Sequence, residues 1–450
     1  AGLLVSAYPG RHYLFTESAS DNSEDRTAAL SSNQNQPMVD LYFWLDPSGS
    51  GSSTPAEYWN ACYSAIASAN HALQAIDEHK MGAKADVYKG EALVARAYAH
   101  HMLVMLFAGA YEPGGANAGM GVPYVTSPES EVFAKYDRGT VKEVYEKIEK
   151  DLTDGLALLK AGAWTVPKYH FTPQAAHAFA ARFYLFKGDW DKVIEHATAV
   201  FPEGNFYNNL RQYAGTMASW NSDEIRQMFT KAEAPFNLLI ANTYSTYHRS
   251  TGAGANRYGF GEQVKANWSG TTVFGPVFRT TLYHWTAPNY NPGKFLEYFH
   301  ITNVQQNTGQ PYIMMPLFTV DEVLINRAEA YLHKKNYTHA INDLNDFAKA
   351  RITGFAVSAH GITVEKAKTF TGEDDNDKAM MQALLDTKKK AFLLEGIRWM
   401  DILRHKITVR HNHIDANGTE TFTELRPEDP RRIFQLPQEV KLSGLPLNPR

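Results

Sequence analysis

Apolar residues recur three and four positions apart over much of the chain, which is the spacing of one helix face. Val141, Val144, Tyr145, Ile148, Leu152 and Leu156 form such a stripe behind Thr140, a residue suited to cap a helix start. Thr54, Pro55 and Glu57 predict another start, for a helix through Tyr58, Trp59 and Tyr63 to about Ile76. A helix over about 86–108 carries the apolar run Met102–Phe107 and breaks at Gly109. Within it His100 and His101 are neighbours, so one is expected to be packed and the other exposed. Thr172-Pro173 opens a further helix through Phe186.

One pattern occurs twice. Ala181-Arg182-Phe183-Tyr184-Leu185-Phe186, a polar turn, Trp190 and then Val193-Ile194 matches Ala328-Glu329-Ala330-Tyr331-Leu332, a turn, Tyr337 and Ala340-Ile341. This is the helix–turn–helix rhythm of tetratricopeptide-type repeats. Trp190 and Tyr337 are expected to wedge between the paired helices as core residues. The stretch Leu384–Arg404 is again helical in period, with Leu384, Leu385, Phe392, Leu393, Trp399, Ile402 and Leu403 apolar. Glu395, Arg398, Asp401 and Arg404 are three apart, so a ladder of charge pairs along one helix flank is expected. Gly396 inside this run predicts a kink or a close approach by another backbone.

The rest is less periodic. Residues 11–54 are irregular, with the aromatic run Tyr42-Phe43-Trp44 ahead of a Gly/Ser-rich loop. Residues 201–318 separate the two repeats. Nineteen of the ninety-six residues from Asn205 to His300 are Phe, Tyr or Trp, against 12% in the whole chain, so loops and short strands laid over the helices are expected there. Tyr312–Phe318 reads as an extended stretch leading into the helix at Thr319–Leu332. The fold class is therefore mainly α, with tetratricopeptide-like helix pairs as a scaffold and an irregular, loop-rich region with short strands. The expected organisation is one domain over 1–450: scaffold at about 55–200 and 319–405, insertion at 201–318, opening segment 1–54 and tail 406–450.

Composition narrows the function. Lys and Arg number 44 against 48 Asp and Glu, a net charge of −4, which lacks the basic excess of a nucleic-acid binder. No apolar run is long enough for a membrane span. Cys62 is the single cysteine, so neither an intrachain disulfide nor a cysteine zinc cluster can form. GxSxG, HExxH and CxxC motifs are missing, the glycine-rich loop after Pro113 has no GxxxxGK[ST], and no carboxylate pair stands out as a glycosidase would need. His405, His411 and His413 make the best metal-like group, although the segment reads as loop; no cofactor is expected, with a structural calcium on loop oxygens left open.

Large aromatics set in polar, glycine-rich loops offer different chemistry. Sugar rings lay their C–H faces on Trp and Tyr, while amide and charged side chains bond the hydroxyls. Three groups qualify: Tyr42, Phe43 and Trp44; Trp268; and Tyr283, Trp285 and Tyr290. Asp46, Asn267, Asn289 and Arg279 are weaker polar partners beside them, and Asp25 and Arg26, in the acidic opening segment, are weaker still.

The run Glu395-Gly396-Ile397-Arg398-Trp399-Met400-Asp401-Ile402-Leu403-Arg404, behind a basic helix, resembles the C-terminal signature of the RagB/SusD family. Trp59-x-x-x-Tyr63, the helix with Arg96-Ala97-Tyr98, the two repeats and the tail with Pro437, Glu439 and Asn448-Pro449 follow in that family's order. The resemblance implies a cell-surface, outer-membrane, lipid-anchored binding protein rather than an enzyme. It implies that an oligosaccharide is captured and passed to a SusC-like TonB-dependent transporter. It also implies a glycan site built as an aromatic arc from the opening segment and the insertion. Peptide capture within the same family, or a helical-repeat scaffold for a protein partner, are the alternatives. The lipidated cysteine that the family carries is expected on a segment ahead of Ala1, because residues 3–8 read as the end of a helix.

Overall fold

Each predicted helix start is capped as its sequence suggests. In the computed structural model, which describes residues 12–26, 35–47, 54–131, 134–245, 256–279, 290 and 292–450, the Thr54 hydroxyl accepts the Glu57 N–H. Thr140 and Glu143 form a reciprocal capping box, and Thr172 accepts the Ala175 N–H. Residues 3–8 lie outside the described residues.

The helices in chain order are α1 (His12–Ala19), α2 (Gln36–Tyr42), α3 (Pro55–Glu78), α4 (Asp86–Phe107), α5 (Val141–Leu158), α6 (Pro173–Lys187), α7 (Trp190–Val200), α8 (Ser222–Phe229), α9 (Glu262–Trp268), α10 (Val320–His333), α11 (Tyr337–Lys349), α12 (Val357–His360), α13 (Val364–Thr371), α14 (Asn376–Ala391) and α15 (Ile397–Arg404). The strands are β1 (Glu24–Asp25), β2 (Asn237–Tyr244), β3 (Tyr258–Gly259), β4 (Tyr298–Asn303), β5 (Thr308–Thr319), β6 (Val409–Ile414) and β7 (Glu420–Leu425). The fold is mainly α. Helices α3, α4 and α5 pack in series, α6 pairs with α7 and α10 with α11, and α10 lies against both α6 and α7.

The repeats hold each other through their turns. Trp190 is half-buried and stacks on His333 of the second repeat, centroids 3.8 Å apart and 4° from parallel. The wedge is therefore between the repeats, not within one pair. Tyr337 donates instead to Asp377 at the start of α14. Below the surface, Arg182 of α6 makes a bidentate pair with Glu322 of α10 at 2.6 Å.

Helix α4 is buried on every side from Ala92 to Phe107. His100 and His101 are consequently both fully buried, contrary to the expected split. Burial pushes each down to about 3, so both rings are neutral. His100 Nδ1 faces the Arg96 carbonyl at 2.9 Å and its Nε2 accepts the Val125 N–H at 3.1 Å, which only the neutral ring can do. At the end of α4 the orphan carbonyls are met by the tail. The Phe434 N–H donates to Leu106 O, and Asn448 Nδ2 and Arg138 Nη2 donate to Phe107 O.

The Leu384–Arg404 stretch is broken rather than kinked. Helix α14 stops at Ala391, Leu394 and Gly396 take left-handed φ values of 62° and 71°, and α15 begins at Ile397. What approaches Gly396 is a side chain, the ring of Tyr13, not a backbone. The charge ladder is also replaced. Glu395 pairs with Arg211 and Lys294, Arg398 with Asp21, Asp401 with Lys388, and Arg404 with Glu329; only Arg404–Asp401 at 3.0 Å runs along the helix. Glu395, Arg398 and Asp401 are buried and Arg404 is half-buried, so each reaches the opposite charge of whichever element covers it.

Glu17 sits beside this turn, its carboxylate accepting the Gly396 N–H at 2.9 Å and the Asn22 amide at 2.8 Å. Burial outweighs both bonds and raises its pKa to about 7. A carboxyl raised on folding holds its proton more tightly in the native state. Its stabilisation is complete below about 4.5 and is lost as pH rises through about 7. Urea midpoints at pH 5 and pH 8 are expected to register a loss of about 3 kcal/mol from this group, absent in Glu17→Gln.

The insertion builds a three-stranded antiparallel sheet in the order β2-β5-β4. The opening segment is more ordered than its composition suggests, since α1 and α2 are regular and β1 pairs with β3. The tail contains the β6–β7 hairpin.

Candidate functional site

Asn35 and Pro37 start α2, which ends at Tyr42; Trp44 then takes a left-handed φ of 54°. The reversal is tied by the Leu45 N–H to Asp40 O at 2.8 Å. It sends the Trp44 ring inward, where its Nε1 donates to Ala19 O at 2.9 Å. Four rings stack there. Trp44 lies on His411 (4.5 Å, 16°), His411 on Tyr42 (4.1 Å, 7°) and Tyr42 on Tyr258 (4.2 Å, 21°). Arginines stand at both ends: Arg257 is 5.3 Å from the Tyr258 ring and Arg431 is 6.0 Å from the Trp44 ring.

His411 holds the column in place. Its two nitrogens lie 2.7 and 2.8 Å from the carbonyls of Tyr42 and Ser20. Carbonyls only accept, so a neutral ring satisfies one of them and a protonated ring both. Burial lowers the pKa of His411, opposed by those two carbonyls.

Tyr42 and Trp44, expected as exposed platforms, are therefore core residues. Their rings join the opening segment, β3 and β6, and this burial outweighs the polar sequence around them. Phe43 is half-buried, edge-on to Tyr42, Tyr258 and His413. Trp268 ends α9 and Tyr290 lies opposite; both are buried in a second apolar cluster with Phe260, Ile313 and Met315. The Tyr290 hydroxyl donates to Glu262, and the Lys265 ammonium is 4.1 Å from its ring. Arg279 donates to the Ala218 carbonyl. Trp268 and Arg279 share a cavity of about 20 Å³, too small for a sugar ring. Asn267 is exposed in α9, whereas Asp25 and Arg26 are buried. Tyr283, Trp285 and Asn289 lie outside the described residues.

Trp44 and Asp46 do reach one cavity. It measures about 110 Å³ and is lined by Trp44, Asp46 and Pro55 together with Arg431, Gln435 and Glu439 of the tail. Arg450 is also in its lining and clasps the Asp46 carboxylate at 2.7 and 3.0 Å. His411 covers one face of Trp44; Arg431, held by a bidentate pair to Asp429, stands over the ring on the cavity wall. An aromatic floor with amide, carboxylate and guanidinium groups around it suits a polar ring-shaped ligand. This cavity and the one at Trp268 share no lining residue. Sequence reasoning missed Arg431, Gln435, Glu439 and Arg450. They sit in a turn-rich tail without periodicity, almost the length of the chain from Trp44.

The histidines do not gather. His405 bonds Glu329 at 2.9 Å, His411 is locked in the ring column and His413 lies by Asp25 and Tyr258. Glu329, Asp401 and His405 form the metal-like group among the described residues, but their oxygens already pair with Lys388 and Arg404. Among the described residues no helix is long and apolar enough to cross a membrane.

Residues 1–185 match a SusD-like family model described as starch-binding and associating with the outer membrane, and residues 196–439 match the model of the SusD family. No curated protein matches the sequence. A SusD superfamily protein from Bacteroides vulgatus superposes with a TM-score of 0.70 at 17% identity, covering 100% of this chain and 96% of its own. A SusD-like carbohydrate binding protein from the same species gives 0.68 at 16%, covering 98% and 94%. A SusD superfamily protein from Bacteroides thetaiotaomicron gives 0.66 at 19%, covering 98% and 96%. At such identities these structures establish the shared fold. With the SusD model spanning more than half of its length, and the helix pairs and Glu395–Arg404 signature in place, this chain belongs to the SusD family.

Proposed function

We propose that this chain is a non-catalytic glycan-binding protein at the outer membrane, which captures an oligosaccharide and delivers it to a SusC-like TonB-dependent transporter. Its family models, one of them described as starch-binding, support the ligand class. The single structural observation behind the reading is the cavity floored by Trp44, with Asp46, Arg431 and Arg450 around it. The indole edge gives a sugar ring an apolar wall to pack against, and the surrounding groups bond its hydroxyls. No bond is broken, so modest affinity suffices where a transporter beneath the site supplies effective concentration. We read the protein as lipid-anchored, and residues 1–450 as one domain.

Trp44→Ala would disturb the ring column as well as the cavity. The informative variant is Asp46→Ala/Arg450→Ala, which changes only the rim. Calorimetry with the glycan that wild type binds is expected to show affinity at least tenfold weaker, with unchanged thermal stability. Affinity equal to wild type would remove the cavity as the site.

A further inference from the structure

The sheet β2-β5-β4 has one face in the core and one outside. Ile313 and Met315 of β5 point into the second apolar cluster. The alternate residues point away. In that outer register Tyr244 pairs with Tyr312 and Tyr312 with Tyr298, so three tyrosines cross the sheet in a row. Their rings stack at 4.8 Å and 6.0 Å, each pair 25° from parallel. Tyr298, on the edge strand, is 36% exposed, and its hydroxyl donates to Asn242 Oδ1 at 2.8 Å. The bond fixes the ring, so a ligand stacking on it freezes little additional rotamer freedom. His300 stands edge-on to Tyr312, and Gln310 lies opposite it.

The charge pattern is as informative as the rings. One residue in five of this chain is charged, yet from Tyr298 to Thr319 there is no Asp, Glu, Lys or Arg, and β2 has none. Every residue from Tyr298 to Thr308 is exposed. The polar groups offered are amides and hydroxyls: Gln310 opposite His300, and Asn303, Gln305, Gln306 and Asn307 at the turn end of the hairpin. Such groups both donate to and accept from sugar hydroxyls. A carboxylate or sulfate lying on these strands would find no cation among their own side chains to offset its desolvation.

We propose that this outward face, centred on Tyr298 with His300 and Gln310, is a second saccharide platform, separate from the Trp44 cavity, and that it takes an uncharged glycan chain. The platform rests on the glycan-capture reading and adds to it a second contact and a ligand class. A long polymer touching both places gains avidity that a short oligosaccharide cannot.

Affinity electrophoresis in native gels tests it, with neutral polysaccharides or a uronic-acid polymer cast in the gel. The proteins are wild type, Tyr298→Ala, Tyr298→Trp and Asp46→Ala/Arg450→Ala. Tyr298→Ala is expected to weaken retention by a neutral polymer about tenfold. Tyr298→Trp, which keeps a platform, should retain it, and the rim variant should keep residual retention by the long neutral polymer. Neutral-polymer retention by Tyr298→Ala equal to wild type overturns the platform alone, as would happen if this face served a protein partner. Strong retention by the uronic-acid polymer that falls with Tyr298→Ala overturns the uncharged class. Wild type that no polymer retards overturns glycan capture itself, and the platform with it.

Discussion

Glu395→Ala is expected to lower the free energy of unfolding by about 3–5 kcal/mol, the usual cost of removing one partner from a buried ion pair. Glu395 is 3% exposed and Arg211 is 1% exposed. The guanidinium grips both carboxylate oxygens at 3.0 Å, and the Lys294 ammonium approaches one of them at 2.7 Å. Lys294 also donates to the carbonyls of Ala391 and Leu393, in the break between α14 and α15. Without Glu395, the buried Lys294 ammonium keeps only its two carbonyls, and the buried Arg211 guanidinium keeps only Asp321, 4.0 Å from its Nε. Urea unfolding at neutral pH measures the loss. Replacing both charges, as Glu395→Leu/Arg211→Met, should cost less than the two single changes together, because Lys294 is then the one cation left without its carboxylate partner, where Glu395→Ala strands Arg211 as well. Burial alone would raise the Glu395 carboxyl; Arg211 and Lys294 outweigh it and hold the group below its ordinary value. Its stabilisation is thus present above the unfolded carboxyl pKa and is lost as pH falls through the folded one.

Gly396→Ala is expected to cost about 2–5 kcal/mol, from a left-handed backbone and an overpacked contact together. The φ of 71° suits glycine, and an added Cβ would stand 2.6 Å from Tyr13 Cδ1. Tyr13 has no easy retreat, because it is buried and its hydroxyl donates to Pro316 O at 2.9 Å. Chemical denaturation compares the variant with Gly418→Ala, whose φ of 81° is as demanding but whose Cβ meets nothing within 4 Å. The difference between the two isolates the Tyr13 contact.

The helical scaffold was legible because capping residues and apolar periodicity are local signals. Thr54, Thr140 and Thr172 mark starts that the structure keeps. The repeat stood out for the same reason. The partners of Glu395 or Arg398 were not legible, since Arg211 and Asp21 lie 184 and 377 residues away in sequence. Loop composition misled at Tyr42 and Trp44. Polar neighbours suggest exposure, but a ring is buried wherever a distant partner such as His411 covers it. The same blindness hid Tyr298 and Tyr312. Only strand pairing brings them into one row, and the aromatic density of the insertion was the signal that pointed to the region without choosing the residues.

A glycan panel titrated calorimetrically against the unmodified chain bears most directly on the account as a whole. Saturable binding to one class of oligosaccharide, with no product released on prolonged incubation, is the expected result. Failure to bind any glycan, with saturable binding to an extended peptide, would contradict it.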